Sequence, residues 1–275
     1  MLGVVLSRTG TTHRTRTEEN SVAGGKRVLL AGESWVMHTI HQKGFDSFTT
    51  TAYATGHGWL QKALEAGGWD FTHLPNHLAP AEFPTTAEQL KAYDVVILSD
   101  IGTNTLLLSP ETFERSQTSP NRLTLLRDWV ASGGGLVVVG GYLTFQGIEG
   151  KGRYAGSAVE DALPVTIFPY DDRVELPEGV VPQVTAPDHP LAVNLPETWP
   201  AILGYNRLTP RQEATVVATA GHDPLLAAWQ YGHGHAVIFA SDCGPHWAPP
   251  DFVAWDGYAT LWQNIANWAA GNPPG

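Results

Sequence analysis

The sequence predicts an α/β fold with a mainly parallel central sheet flanked by helices and a β-rich C-terminal part. Three observations predict it. Four short apolar runs are separated mostly by helical patterns or long loops, and each of the three strongest ends on a polar or glycine-rich segment. After about residue 164 the texture changes to short β-rich runs broken by Pro, Gly and Asp. Short, uniformly apolar runs suit strands buried on both faces, and the helices between them imply right-handed parallel crossovers.

The first run is Arg27-Val-Leu-Leu-Ala31, leading into Gly32-Glu33-Ser34. Thr55 is placed to cap a helix with Leu60, Ala63 and Leu64 on one face, stopped by Gly67-Gly68. Residues 69–74 read as a second strand and residues 93–98 as a third, ending at Ser99-Asp100. Ser119-Pro120 offers a cap with proline in the first turn to a helix that carries Leu123, Leu126, Trp129 and Val130. Gly133-Gly134-Gly135 ends that helix, and residues 136–139 form the fourth strand, running into Gly140-Gly141-Tyr142. Residues 215–218, 225–230 and 235–240 read as adjacent strands, the last two joined through Tyr231-Gly-His-Gly234. A closing helix repeats apolar residues at Tyr258, Leu261, Trp262, Ile265, Trp268 and Ala269 with a 3.6-residue period. Residues 26–275 are expected to form one domain. Residues 1–25, rich in Thr, Arg and Gly without a core-building period, are expected to be a flexible tail.

Composition narrows the function classes. A chain of 275 residues with 43% hydrophobic and 16% charged residues can bury one substantial core. A formal charge of −11 argues against nucleic acid or an anionic membrane surface as partner. No apolar run approaches the roughly 20 residues that span a bilayer. The single cysteine, Cys243, excludes an intramolecular disulfide and a multi-thiolate metal site, so a reducing cytoplasm is the expected compartment. The partner expected is a small-molecule ligand, with a homo-oligomer left open.

In open parallel sheets ligands bind beyond the carboxyl ends of the strands. The ends at issue are Gly32-Glu-Ser-Trp35, Ser99-Asp-Ile-Gly102 and Gly140-Gly-Tyr-Leu-Thr144. Together with Gly221-His-Asp-Pro224, Ser241-Asp-Cys-Gly-Pro-His-Trp247 and Lys43-Gly-Phe-Asp-Ser-Phe48, they resemble the bacterial putative glutamine amidotransferase-like proteins. The resemblance covers roughly residues 26–270. It implies a flavodoxin-like, class I glutamine amidotransferase-like fold, more distantly similar to the ThuA proteins. In that superfamily the nucleophilic cysteine occupies a G-x-C-x-G turn, but Tyr142 stands at the matching position here and Thr144 replaces the last glycine. The partner His and Glu follow a late strand as F-H-P-E, and Phe239-Ala-Ser-Asp242 has no histidine in place. Glutamine hydrolysis by a Cys-His-Glu triad is therefore not expected.

Other chemistry has candidates. Glu33 directly follows a strand and is the leading general base or hydrogen-bond acceptor, against a structural carboxylate satisfied by backbone N–H groups. Asp242 and His246 complete the catalytic candidates. Ser34, Trp35, His38, Asp100, Gly102, Gly141, Tyr142 and Trp247 are the candidate ligand-binding residues. Asp100 and Asp242 can equally be turn residues, and Trp247 a core filler. His38 and His41, three apart, would share a helical face. The segment is weakly helical, however, and neither a metal nor a cofactor is expected. Cys243 reads as a small buried residue. The function expected is acting on or binding a small polar metabolite in the strand-end pocket, a sugar-derived one being left open, by hydrolysis or lyase-type proton abstraction if the protein is an enzyme, with a non-catalytic binding or scaffold protein as the alternative.

Overall fold

The computed structural model describes residues 25–272, so the expectation for the first 25 residues falls almost wholly outside them. The central sheet has eight strands: β1 (Arg27–Gly32), β4 (Asp70–Leu74), β5 (Val95–Ser99), β6 (Gly135–Val139), β9 (Gln183–Val184), β12 (Thr215–Ala220), β13 (Asp223–Tyr231) and β14 (Gly234–Phe239). Their order is β4-β1-β5-β6-β14-β13-β12-β9. The pairs from β4 through β14 are parallel, and β13, β12 and β9 extend the sheet antiparallel. The four apolar runs are thus β1, β4, β5 and β6. Every residue of β5 and β6 is buried, as strands covered on both faces require.

The remaining strands form three two-stranded pieces. They are β2 (Ser34–Lys43) with β3 (Asp46–Thr55), β7 (Val165–Ile167) with β11 (Leu208–Pro210), and β8 (Arg173–Val180) with β10 (Ile202–Asn206). Of these, β2 and β3 form a ten-residue antiparallel arm whose residues are almost all exposed past Ser34.

The helix Gly58–Ala66 buries Leu60, Ala63 and Leu64, and Tyr258–Ala269 buries Tyr258, Leu261, Trp262 and Ile265. The two pack on each other. Fully burying one such Leu or Ile side chain stabilises the fold by about 1.5–3 kcal/mol. Two caps differ from expectation. Thr55 is the last residue of β3, and the first helix starts after His57 without a side-chain cap. Asn121, rather than Ser119, caps Arg122–Ala131, its Oδ1 accepting from the Leu123 and Thr124 N–H groups. Asparagine reaches two orphan donors there, whereas Ser119 bonds Thr112.

Candidate functional site

Sheet register builds the site. Gly32 pairs with Ser99, Ser99 with Val139, and Val139 with Phe239. Strands about 4.8 Å apart therefore end in line, and the residues just beyond them must meet although they are far apart in sequence. Glu33 and Asp100 both leave their strands in the left-handed region, at φ 48° and 47°. Non-glycine residues adopt that region at a cost of about 1–3 kcal/mol when the surroundings enforce it. The enforcement is visible here. The Glu33 N–H donates to the Ser99 carbonyl at 3.1 Å, and the Asp100 N–H donates to Thr144 Oγ1 at 2.8 Å.

A cavity of roughly 260 Å³ opens over these ends, lined by Glu33, Trp35, Gly56, Asp100, Tyr142, Asp242, Gly244, Pro245 and His246. Glu33 is the most perturbed of them. Burial, reinforced by the charges of Asp242 and Asp100, pushes its carboxyl from 4.5 up to about 8, against the opposing effect of the Ser99 hydroxyl. Ser99 Oγ lies 2.5 Å from Glu33 Oε1. Gly56 leaves room for the other oxygen, because any Cβ at 56 would overlap Glu33 Oε2. Burial of Glu33 thus favours the protonated, uncharged acid at neutral pH.

Asp100 and Asp242 face each other across Gly141. A Cβ built there would stand 3.0 Å from Asp242 Oδ1 and 3.3 Å from Asp100 Oδ1. Burial raises the Asp100 pKa, while the Leu143 N–H, donating to Oδ1 at 2.8 Å, lowers it. Asp242 Oδ2 accepts from the Trp247 N–H at 3.1 Å and pairs with His246 Nδ1 at 2.9 Å. That hydrogen bond raises the His246 pKa and makes the imidazole more basic, against partial burial. The stabilisation this pair gives the fold is complete below pH 6.5 and is lost as pH rises through the raised pKa. The Tyr142 ring meets His246 edge-on at 4.4 Å, with the Arg173 guanidinium 4.6 Å from its centroid on β8.

Of the residues singled out from the sequence, Glu33, Trp35, Asp100, Tyr142, Asp242 and His246 line this cavity, and Gly141 lies between its carboxylates. Ser34, His38, His41, Gly102 and Trp247 do not line it. His38 lies out on the arm, hydrogen-bonded to Thr51, and His41 pairs with Thr50. Both are on a strand, where residues three apart point to opposite faces, so the shared helical face does not exist. Ser34 is buried and accepts from the Asn76 N–H at 2.7 Å. Gly102 precedes the helix Thr103–Leu107 and packs beside Lys151 and Gly152. Trp247 is a core side chain, 1% exposed, its Nε1 donating to Glu175 at 2.9 Å, and the absence of a Cβ at Gly204 makes space for it.

Sequence reasoning missed Gly56 and Arg173. Arg173, at the start of β8, meets the site through the Tyr142 ring, a contact that only the fold reveals. Cys243 is fully buried, 3.9 Å from Ser99 Oγ, and burial pushes its thiol well above 9. Among the described residues no group of three His, Cys, Asp or Glu side chains is arranged to hold a metal ion, and no helix is long and apolar enough to cross a membrane.

The model of a family described as putative glutamine amidotransferase, GATase1_like, matches residues 27–271. Two solved structures of cytoplasmic proteins from Salmonella typhimurium are similar over most of their length. One is 42% identical with a TM-score of 0.86, over 88% of this chain and 98% of its own. The other is 44% identical with a TM-score of 0.85, over 88% and 99%. A putative ThuA-like protein from Bacteroides uniformis matches at 15% identity and a TM-score of 0.47, over 87% of this chain and 91% of its own. No curated protein matches the chain.

Proposed function

We propose, for a chain that belongs to the putative glutamine amidotransferase family, that the strand-end cavity takes a small, neutral, polyhydroxylated metabolite and moves protons on it. One observation carries this reading: an uncharged Glu33 acid shares a cavity with an Asp242–His246 pair whose imidazole is made more basic. A carboxyl that keeps its proton can act as the donor, and an imidazole whose Nδ1 is paired with a carboxylate can act as the acceptor. Glu33 would deliver a proton to a leaving or carbonyl oxygen. His246, held by Asp242, would take one from water for hydrolysis or from carbon for elimination.

The ligand class follows from the lining. Carboxyl groups accept hydroxyl donors and repel anions, while the Trp35 and Tyr142 rings offer apolar faces to the C–H side of a sugar-like molecule. The volume, just below the roughly 300–1,000 Å³ of typical ligand pockets, suits a monosaccharide-sized compound. A thermal-shift panel of neutral polyols, sugar lactones, amino acids and sugar phosphates tests this. Neutral polyols should raise the melting temperature of the wild type and not of Asp242→Asn. Hits confined to the phosphorylated compounds would sink the reading.

Glutaminase chemistry is not supported by the same geometry. The position matching the superfamily's nucleophilic cysteine carries Tyr142, and the chain's one thiol is buried and held protonated. Ammonia release from glutamine should stay at background. Release abolished by Cys243→Ala would show that this thiol is a nucleophile after all.

A further inference from the structure

The β2–β3 arm has no role in the site beyond its root. It projects as an isolated two-stranded ribbon, about 34 Å long at 3.4 Å per residue. Register places Trp35, Ala54, Met37, Ala52 and Phe48 on one face, and Val36, Tyr53 and Ile40 on the other. Neither face packs on a core. Trp35, Phe45, Phe48 and Tyr53 are 39%, 108%, 49% and 51% exposed. At about 150–250 Å² per aromatic side chain, that alone is roughly 400–600 Å² of surface, before Val36, Met37 and Ile40 are added. Summed over both faces and the tip, this is on the order of the ~800 Å² per partner that a standard interface buries.

We propose that this arm is the surface through which the chain pairs with a second copy of itself. Charge favours that occupant. The chain carries 27 acidic against 16 basic residues, so most of its surface repels another copy. Residues 34–55 hold only Lys43 and Asp46, adjacent across the tip, and can meet their own image without a like-charge cost. The edges favour it as well. Within the described residues β2 and β3 pair only with each other, leaving two open ten-residue edges with no proline, bulge or mid-strand charge to blunt them. Such a ribbon is marginal alone. A two-fold contact between arms covers the apolar side chains that face each other and stops there, because an isologous interface is self-complementary. Trp35, at the arm's root, lines the cavity, so pairing also steadies one cavity wall.

Sedimentation velocity from low to high micromolar concentration tests the proposal on the full chain. The wild type should sediment at twice the chain mass of 29.7 kDa. The double substitution Ile40→Lys with Phe48→Lys should raise the dissociation constant by roughly 100-fold or more while leaving circular dichroism unchanged. A monomeric wild type, whether its arm is bare, covered by the chain's own N-terminus or reserved for another protein, overturns the proposal. So does a dimer that survives the double substitution. In case the double variant misfolds, cysteines placed singly at Thr39, Ile40, Thr49 and Thr50 supply a second reading, because the native thiol is buried. At least one should give a disulfide-linked dimer under mild oxidation; none doing so overturns the pairing.

Discussion

Glu33→Gln should stabilise the folded chain by roughly 4 kcal/mol at pH 8 and abolish proton transfer in the cavity. Glu33 is 6% exposed, and its carboxyl is pushed from 4.5 to about 8, chiefly by burial. Below pH 4.5 the carboxyl is protonated in both folded and unfolded chains and costs nothing extra. Between 4.5 and about 8 the unfolded chain ionises while the folded one keeps its proton, so stability falls by about 1.4 kcal/mol per pH unit. Above that window both are ionised and the full penalty remains. Glutamine keeps an oxygen to accept from Ser99 and never ionises, so the penalty disappears. Urea unfolding at pH 4.5 and at pH 8 separates the two chains: the gap should be small at the lower pH and several kcal/mol at the higher. A gap that does not change with pH would show that Glu33 titrates alike in the folded and unfolded chains and is ionised at neutral pH, and the acid role proposed for it would fail with it. A gain in stability with a loss of activity is the usual signature of a group held in its site for function.

Much of the cavity was legible because parallel strands impose their own geometry. Once β1, β5 and β6 are recognised as buried runs, their carboxyl ends must lie side by side, which brings Glu33, Asp100 and Gly141 together without any long-range information. The arm was not legible, for an equally physical reason. Alternation arises when one face of a strand is buried, and here neither face is. Trp35, Val36, Met37 and Ile40 therefore show no clean period, and His38 and His41 suggested a helix face instead. The available signal was the β-branched and aromatic run from Phe48 through Thr49, Thr50 and Thr51 to Tyr53, with Gly44 at the turn before it. Trp247 was misplaced because sequence cannot distinguish a loop tryptophan facing a ligand from one filling a core. The deciding feature is the gap above Gly204, more than 40 residues earlier in the chain.

Gly32→Ala should cost about 3–5 kcal/mol and take the cavity with it. Gly32 has φ +119°, where a Cβ is strained whatever the space around it. Space is lacking too: the added Cβ would overlap the backbone carbonyl oxygen of Ser99, and a backbone atom inside a sheet cannot rotate away as a side chain can. To relieve the overlap β1 and β5 must separate at their carboxyl ends. That breaks the Glu33 N–H bond to the Ser99 carbonyl and pulls Glu33 off the Ser99 hydroxyl. Gly221→Ala is the matched control. Gly221 also has positive φ, at +60°, but nothing lies within 4 Å of its added Cβ, so it carries the backbone strain alone, about 1 kcal/mol. Denaturant unfolding of both variants should leave Gly32→Ala at least about 2 kcal/mol below Gly221→Ala. Equal losses would mean that the sheet accommodates the methyl group, and that the line of strand ends from Gly32 to Phe239 is less rigidly set than its register implies.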